Sequence, residues 1–205
     1  MSLNLQKSNL VNAILPHVAF DGWSQVSFDQ AVNDLRMSPS LAAAVAPRGA
    51  VDLAVTFHRT GDKEMVAAYN AADTGSLNIR SKVILAVRLR LETIKDKEVV
   101  RRGSSLFALP NFAADGAKLI WETADHIWNA LGDTSSDVNW YTKRVTLGTV
   151  YTATVLFWLG DESPAHEDTW AFLDRRIENI MQIETAKSHI KKSKILSSAL
   201  AGPIW

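Results

Sequence analysis

Two glutamate–histidine pairs are the residues of this chain that come nearest to a catalytic metal site. Glu122 lies four residues before His126, and Glu162 lies four residues before His166, so each pair would share one face of a helix. Di-iron carboxylate proteins place the histidine three residues after the glutamate, and none of the glutamates here has such a partner. Because solvated helix faces often carry a four-residue spacing, we expect no metal site.

Other catalytic motifs are also missing from the sequence. There is no G-x-S-x-G nucleophile elbow, no glycine-rich phosphate loop and no G-x-G-x-x-G fingerprint. The chain has no cysteine, which excludes thiolate zinc sites, disulfides and a cysteine nucleophile. The sequence therefore predicts a protein that is not an enzyme and that needs no catalytic cofactor.

The spacing of the apolar residues predicts the helices, and these helices position the remaining polar and aromatic residues. Apolar residues recur at steps of three and four, which predicts an all-α fold. Short helices are predicted over 10–20, after Ser27 as N-cap, and after Ser38 with Pro39 in the first turn. Longer helices are predicted over 50–59, 64–72, 79–95, 98–107, 112–131, 137–159 and 166–187.

These helices suggest three parts. Residues 1–49 have the outline of a helix-turn-helix head, residues 50–188 form a larger helical body, and residues 189–205 form a basic tail. The head is electrically neutral. Residues 38–47, which contain the third predicted helix of the head, include no cation. Because nucleic-acid binding depends on cations that neutralise phosphates, we expect a degenerate head that does not bind DNA.

The helix after Val145 is apolar on most of its circumference, so protein or ligand must cover it on several sides. Small residues from Gly148 to Thr154 leave room between helices, but composition alone does not separate a filled core from a cavity. The candidate lining of a lipid cavity is Leu85, Leu89, Trp121, Leu147, Val150, Tyr151, Thr154, Trp158, Phe172 and Ile177.

The segment Asn139 to Arg144 sets two aromatic residues and two cations at a predicted helix start, with Ser135 or Ser136 as the cap. Trp140 and Arg144 lie one turn apart and should stack, cation over ring. From the residues alone two alternatives stay open. Trp140 either closes the end of the core or forms, with Arg144, an exposed docking surface.

The tail contains no acidic residue after Glu184 and combines lysines with apolar residues, as membrane-surface helices do. A frayed, solvated terminus is the alternative. The candidate membrane contacts are Lys191, Lys192, Lys194, Leu196, Leu200, Ile204 and Trp205.

Residues 20–24 (FDGWS), 125–128 (DHIW), 132–144 (GDTSSDVNWYTKR) and 168–176 (DTWAFLDRR) resemble the COQ9 family of ubiquinone-biosynthesis accessory proteins. The resemblance implies a TetR-like fold that has lost DNA reading, a bound lipid or isoprenoid quinone, a homodimer and association with a membrane surface. It also implies help to the di-iron demethoxyubiquinone hydroxylase. A TetR-like, ligand-responsive transcriptional regulator is the alternative function.

The resemblance favours the docking alternative for the aromatic segment. The partner surface that it implies is formed by Asp125, Trp128, Asn139, Trp140, Tyr141 and Arg144. No secretory or organelle presequence is seen before Arg36. We therefore expect a cytoplasmic protein in a bacterium, with peripheral association to the inner membrane.

Overall fold

The computed structural model describes residues 2–180 and residue 182. Within these residues the chain forms helices, turns and loops and no strand, which confirms the all-α prediction. The predicted tail over 189–205, with its membrane candidates, lies outside the described residues.

Eight α-helices are followed by a short 3-10 turn and a last helical segment. They are α1 (Leu3–Asp21), α2 (Gln25–Asp34), α3 (Pro39–Val45), α4 (Ala50–Ala71), α5 (Ile79–Glu92), α6 (Lys97–Phe107), α7 (Ala113–Ala130) and α8 (Val138–Gly160). The 3-10 turn covers Pro164–His166, and the last segment, here α9, covers residues 167–180.

Side-chain caps define the helices of the head. Ser38 accepts a hydrogen bond from the backbone N–H of Leu41, and Pro39 follows in the first turn, as predicted for α3. The prediction for α2 was wrong, because Ser24 caps this helix and Ser27 lies inside it. The Ser27 hydroxyl is buried and donates to the carbonyl of Gly22 at 2.7 Å, which ties α2 to the preceding turn.

Helix α4 is continuous where the sequence predicted two helices over 50–59 and 64–72. Gly61 lies in its middle and allows α5 to approach closely. A Cβ atom at this position would lie 2.6 Å from Nη1 of Arg90. The glycine is therefore a packing position rather than a helix break.

Two clusters of buried apolar side chains hold the fold together. One includes Leu10, Ile14 and Leu53 and joins the head to the first half of α4, while Val99 of α6 completes it. The other lies in the body, around Tyr151. Because α4 contributes to both clusters, head and body share one helix, and the predicted boundary at residue 49 stays a prediction.

No single helix of the described part is long and apolar enough to cross a bilayer. Helices α3 and α4 meet that test only as a pair, which is bent by 49° at its junction.

Candidate ligand cavity and aromatic surface

An apolar cavity of about 280 Å³ lies between α4, α6, α7 and α8, with Trp23 of the head at one side. Tyr151, Ala54 and Trp23 are almost completely buried and mark its inner end. Ala117, Thr152 and Leu156 line it as well but are exposed, so they mark its rim. The volume is near the lower limit of the roughly 300–1,000 Å³ that small-molecule pockets occupy.

Small residues of α6, α7 and α8 line the space, namely Gly103, Ser104, Gly116, Ala117 and Thr152. Gly116 lies against Phe107, where a Cβ atom would be 2.8 Å from that of the phenylalanine, and Ala117 follows at the rim. Gly148 of α8, where the sequence suggested room, is filled by Ile120, whose Cγ2 would lie 3.1 Å from an added Cβ. Of the predicted small residues of α8, Thr152 therefore lines the cavity and Gly148 does not.

Only Tyr151 of the predicted lipid-binding residues lines this cavity. Several of the others are buried in the packed core of the body, namely Leu147, Val150, Thr154, Trp158 and Ile177. Leu85 and Leu89 pack against that core from its edge. Trp121 lies in an aromatic cluster outside the cavity, and Phe172 stacks on Phe157 with ring centroids 4.6 Å apart.

The lining that sequence reasoning missed comes mainly from α4, α6 and α7. It includes Trp23, Phe57, His58, Arg90, Ile94, Val99, Val100, Phe107, Leu119 and Ile120. The sequence signal that could have identified this lining is the strongly amphipathic pattern of α6, because its apolar face must meet another apolar surface.

A polar group of side chains closes the inner end of the cavity. Arg90 donates from Nε to Oδ1 of Asp62 at 2.7 Å, and both side chains are almost completely buried. Thr123 donates to the same carboxylate oxygen at 3.0 Å, and its hydroxyl lies 2.8 Å from Nε2 of His58. We call these four residues and Tyr151 the polar floor.

Burial determines the protonation of the polar floor. Burial, and then the positive charge of Arg90, lower the pKa of His58 from 6.5 to about 4, so the imidazole is neutral at physiological pH. Burial also raises the pKa of Tyr151, although Arg90 opposes that shift. The tyrosine therefore carries its proton and is a hydrogen-bond donor.

We expect the protein to lose stability as the pH falls from about 6.5 to about 4, because His58 is the group that titrates there. Its folded pKa of about 4 lies below the unfolded value of 6.5, so the unfolded chain binds more protons in this window. The loss should be roughly 2 kcal/mol between pH 7 and pH 4.5, measured by urea unfolding. His58→Gln should flatten this dependence, and an unchanged slope would contradict the assignment.

A second cavity of about 440 Å³ lies on the other side of the polar floor, towards Pro16 of α1. Phe57, Arg90, Ile94 and Val99 line both cavities. At these residues the wall between the two spaces is therefore one side chain thick.

Three aromatic rings form a cluster on α7 and α8, which we call the aromatic surface: Trp121, Trp140 and Tyr141. The ring centroids of Trp140 lie 5.5 Å from Trp121 and 4.7 Å from Tyr141. Tyr141 is 61% exposed, whereas Trp140 is half-buried. Exposed aromatic residues are typical anchors of protein interfaces.

Arg144 stacks on Trp140 as predicted, with its guanidinium carbon 4.1 Å from the ring centroid. The expectation that it projects from the surface was wrong, because the residue is only 1% exposed. Its Nε donates to Asp125 at 2.6 Å and its Nη1 to Asp133 at 3.2 Å. Arg144 therefore supports the aromatic surface from below.

The rest of the predicted partner surface separates into other environments. Asp137, not Ser135 or Ser136, caps α8 by accepting from the backbone N–H of Asn139 at 2.9 Å. Asn139 is exposed and Trp128 is half-buried, and both line a groove of about 610 Å³ between α5, α7, α8 and α9.

The glutamate–histidine pairs have structural partners. Glu122 accepts two hydrogen bonds from Arg59, each 2.8 Å long, and its backbone carbonyl lies 2.6 Å from Nδ1 of His126. His166 lies near Asp161, with 3.9 Å between Nδ1 and Oδ2. Among residues 2–180, no three potential metal ligands come together.

Comparison with known proteins shows what the chain resembles. The model of the COQ9 family matches residues 113–184, which contain α7, α8 and all three residues of the aromatic surface. The COQ9 protein of Rattus norvegicus is 28% identical over 203 residues, and that of Dictyostelium discoideum is 28% identical over 196. The resemblance to the COQ9 family is confirmed.

The alignments to these COQ9 proteins cover 94% and 91% of this chain but only 64% and 63% of theirs. The chain thus spans less than two thirds of the length of the relatives. COQ9 of Homo sapiens is 27% identical, with 94% of this chain and 63% of that protein covered. All three relatives are named as mitochondrial proteins of ubiquinone biosynthesis.

A solved structure of a TetR transcriptional regulator from Nitrosomonas europaea shares the fold of this COQ9-like chain. The TM-score is 0.69 at 18% identity, over 85% of this chain and 97% of that one. The TetR-like fold is therefore confirmed. Arg48, three residues after the end of α3, is bound to Asp52 and Asp115 at 2.8 and 2.9 Å.

Proposed function

We propose that this protein binds a hydrophobic isoprenoid quinone intermediate of ubiquinone synthesis and presents it to the di-iron demethoxyubiquinone hydroxylase. It does so as an accessory protein and not as a catalyst. The role in ubiquinone biosynthesis is supported by the names of the relatives. The metal would belong to the hydroxylase.

The observation that carries the proposal is that the cavity rim and the aromatic surface share one face of α7 and α8. On α7, Ala117 of the rim is one turn from Trp121 of the aromatic surface. On α8, Tyr141 and Thr152 are separated by three turns, or roughly 16 Å along the axis. A ligand that emerges at the rim would lie beside a hydroxylase bound to the aromatic surface.

The size and chemistry of the cavity fit one part of such a ligand. A volume of about 280 Å³ holds a ring and a short length of prenyl chain, and the remainder must lie outside the rim. Exposed apolar residues extend the rim along α8, with Leu156 60% exposed and Val145 58% exposed. Apolar surface of this kind is typical of contact with a partner or a membrane.

We also propose a homodimer and a peripheral membrane contact at the inner membrane. The exposed apolar side chains of α8 are candidates for protein contacts. The lysines and apolar residues of 191–205 are candidates for the membrane surface.

Two variants separate ligand binding from partner binding. Thr152→Trp should fill the rim and remove co-purified isoprenoid quinone while the hydroxylase still binds. Tyr141→Ala should weaken hydroxylase binding at least tenfold, as expected for an aromatic anchor, while the quinone is retained. Both should reduce turnover of demethoxyubiquinone in vesicles by the hydroxylase. Native mass spectrometry, pull-down and turnover measure the three effects.

Matched controls come from the same chain. Thr149 is also exposed on α8 and also bonds the carbonyl four residues before it, but it does not line the cavity. Thr149→Trp should keep the ligand, and Phe20→Ala, at a residue 82% exposed on α1, should keep the partner. The proposal would be contradicted if Thr152→Trp retained the quinone and Tyr141→Ala retained hydroxylase binding.

A further inference from the structure

Two residues that line the cavity, Tyr151 and Arg90, each have a donor group that no described residue pairs with. Tyr151 lines the cavity, is 3% exposed, and its hydroxyl has no hydrogen-bond partner among the described residues. Arg90 lines the cavity beside it and is also 3% exposed. Both side chains line the same cavity, and the charge of Arg90 opposes the rise in the pKa of Tyr151 that burial causes.

The guanidinium is only partly occupied by its protein partners. Its Nε donates to Asp62 at 2.7 Å and its Nη2 to the backbone carbonyl of His58 at 3.0 Å. No described residue accepts a hydrogen bond from Nη1. Neither the Tyr151 hydroxyl nor Nη1 of Arg90 is among the fully buried side-chain atoms without a partner, so an acceptor on a ligand could replace water at these donors.

The charge at this end of the cavity selects the kind of acceptor. Asp62 balances Arg90 at 2.7 Å, and His58 is neutral, so the polar floor has no net charge when Tyr151 is protonated. Asp62 does not line the cavity, but its charge offsets that of Arg90, so an anionic head group would gain little net attraction for the cost of leaving water. A neutral carbonyl or hydroxyl oxygen accepts the same hydrogen bonds without burying a charge.

We propose that Tyr151 and Arg90 form a subsite for an oxygen atom on the ring of a quinone or phenol, which enters the cavity ring first. This inference rests on the proposed function and adds to it the orientation of the ligand and the residues that select it. The prenyl chain then runs outwards past Ile120 and Leu156, which offer apolar surface towards the rim. The outer part of the chain lies on the face shared with the aromatic surface.

The test compares ligands that differ only in ring oxygens. A ubiquinone with one isoprene unit and a prenylbenzene with the same side chain are titrated in competition with 1-anilinonaphthalene-8-sulfonate. Wild type should bind the quinone more tightly. Tyr151→Phe keeps the ring and removes the hydroxyl, so quinone affinity should fall about threefold to tenfold while prenylbenzene affinity is unchanged.

Tyr69→Phe is the matched control, because Tyr69 is equally buried in the body core but lines neither the cavity nor the groove. It should leave the affinity for both ligands unchanged. Decanoate serves as the anionic ligand, and a larger loss for decanoate than for quinone in Tyr151→Phe would overturn the preference for a neutral oxygen.

The outcomes separate this inference from the proposed function. If quinone and prenylbenzene bind wild type equally and Tyr151→Phe changes neither affinity, the subsite is refuted and a lipid-binding function stands. If neither compound binds the wild-type protein, the proposed function and the subsite are both refuted.

Discussion

Asp62→Ala is expected to lower the free energy of unfolding by about 3–5 kcal/mol, because it leaves the guanidinium of Arg90 buried without its counter-charge. The Asp62 side chain is fully buried and that of Arg90 is 3% exposed, so the unpaired charge would remain in a region of low dielectric. Thr123 also loses the acceptor of its 3.0 Å hydrogen bond. Urea unfolding monitored by circular dichroism measures the change, with the variant and wild type compared at pH 7.

The double variant Asp62→Leu with Arg90→Met is the control for this prediction. It replaces both charges by apolar side chains, so neither is left unpaired, and it should be more stable than Asp62→Ala. Gly61, against which Arg90 packs, leaves room for the methionine. A double variant less stable than Asp62→Ala would show that packing and not unpaired charge sets the cost.

Arg144→Met is expected to lower the free energy of unfolding by about 3 kcal/mol, near the lower end of the cost of breaking a buried ion pair. The side chain has no exposure and bonds Asp125, Asp133 and the carbonyl of Trp140. The cost is at the lower end because Asp125 is 32% exposed and because Lys143 still binds Asp133 at 2.7 Å. Thermal and urea unfolding measure it.

If the aromatic surface binds the hydroxylase as proposed, the same variant should weaken that binding, since Trp140 loses the cation that lies 4.1 Å from its ring. Near-ultraviolet circular dichroism should report the change in the tryptophan environment. Lys143→Met is the matched control, because Lys143 binds the same carboxylate but is 37% exposed. Its removal should cost below about 1 kcal/mol, and equal losses in the two variants would contradict the role given to Arg144.

The sequence predicts the helices well where caps and apolar spacing agree. Ser38 and Pro39 mark the start of α3, and the predicted helix over 137–159 differs from Val138–Gly160 by one residue at each end. The sequence predicts a break in α4 between residues 59 and 64, where Gly61 lies, and the structure has none. The actual role of Gly61 depends on Arg90 of another helix, which local sequence does not reveal.

The cavity was harder to locate than the helices. Periodicity identifies which face of α8 is apolar, but whether space remains depends on the lengths of the side chains opposite. Ile120 fills the position beside Gly148 and Phe107 packs against Gly116, whereas Ala117 and Thr152 line open space. The polar floor was missed because Asp62 and Arg90, 28 residues apart, each resemble an ordinary solvated charge.

The thin wall at Phe57 affects the range of ligand sizes that the proposed binding site can hold. Its aromatic ring stands between the 280 Å³ cavity and the 440 Å³ cavity, together with Arg90, Ile94 and Val99. A change of the Phe57 rotamer would open this part of the wall without the movement of a helix. If the cavity binds quinone precursors as proposed, such a change would make room for larger ring substituents.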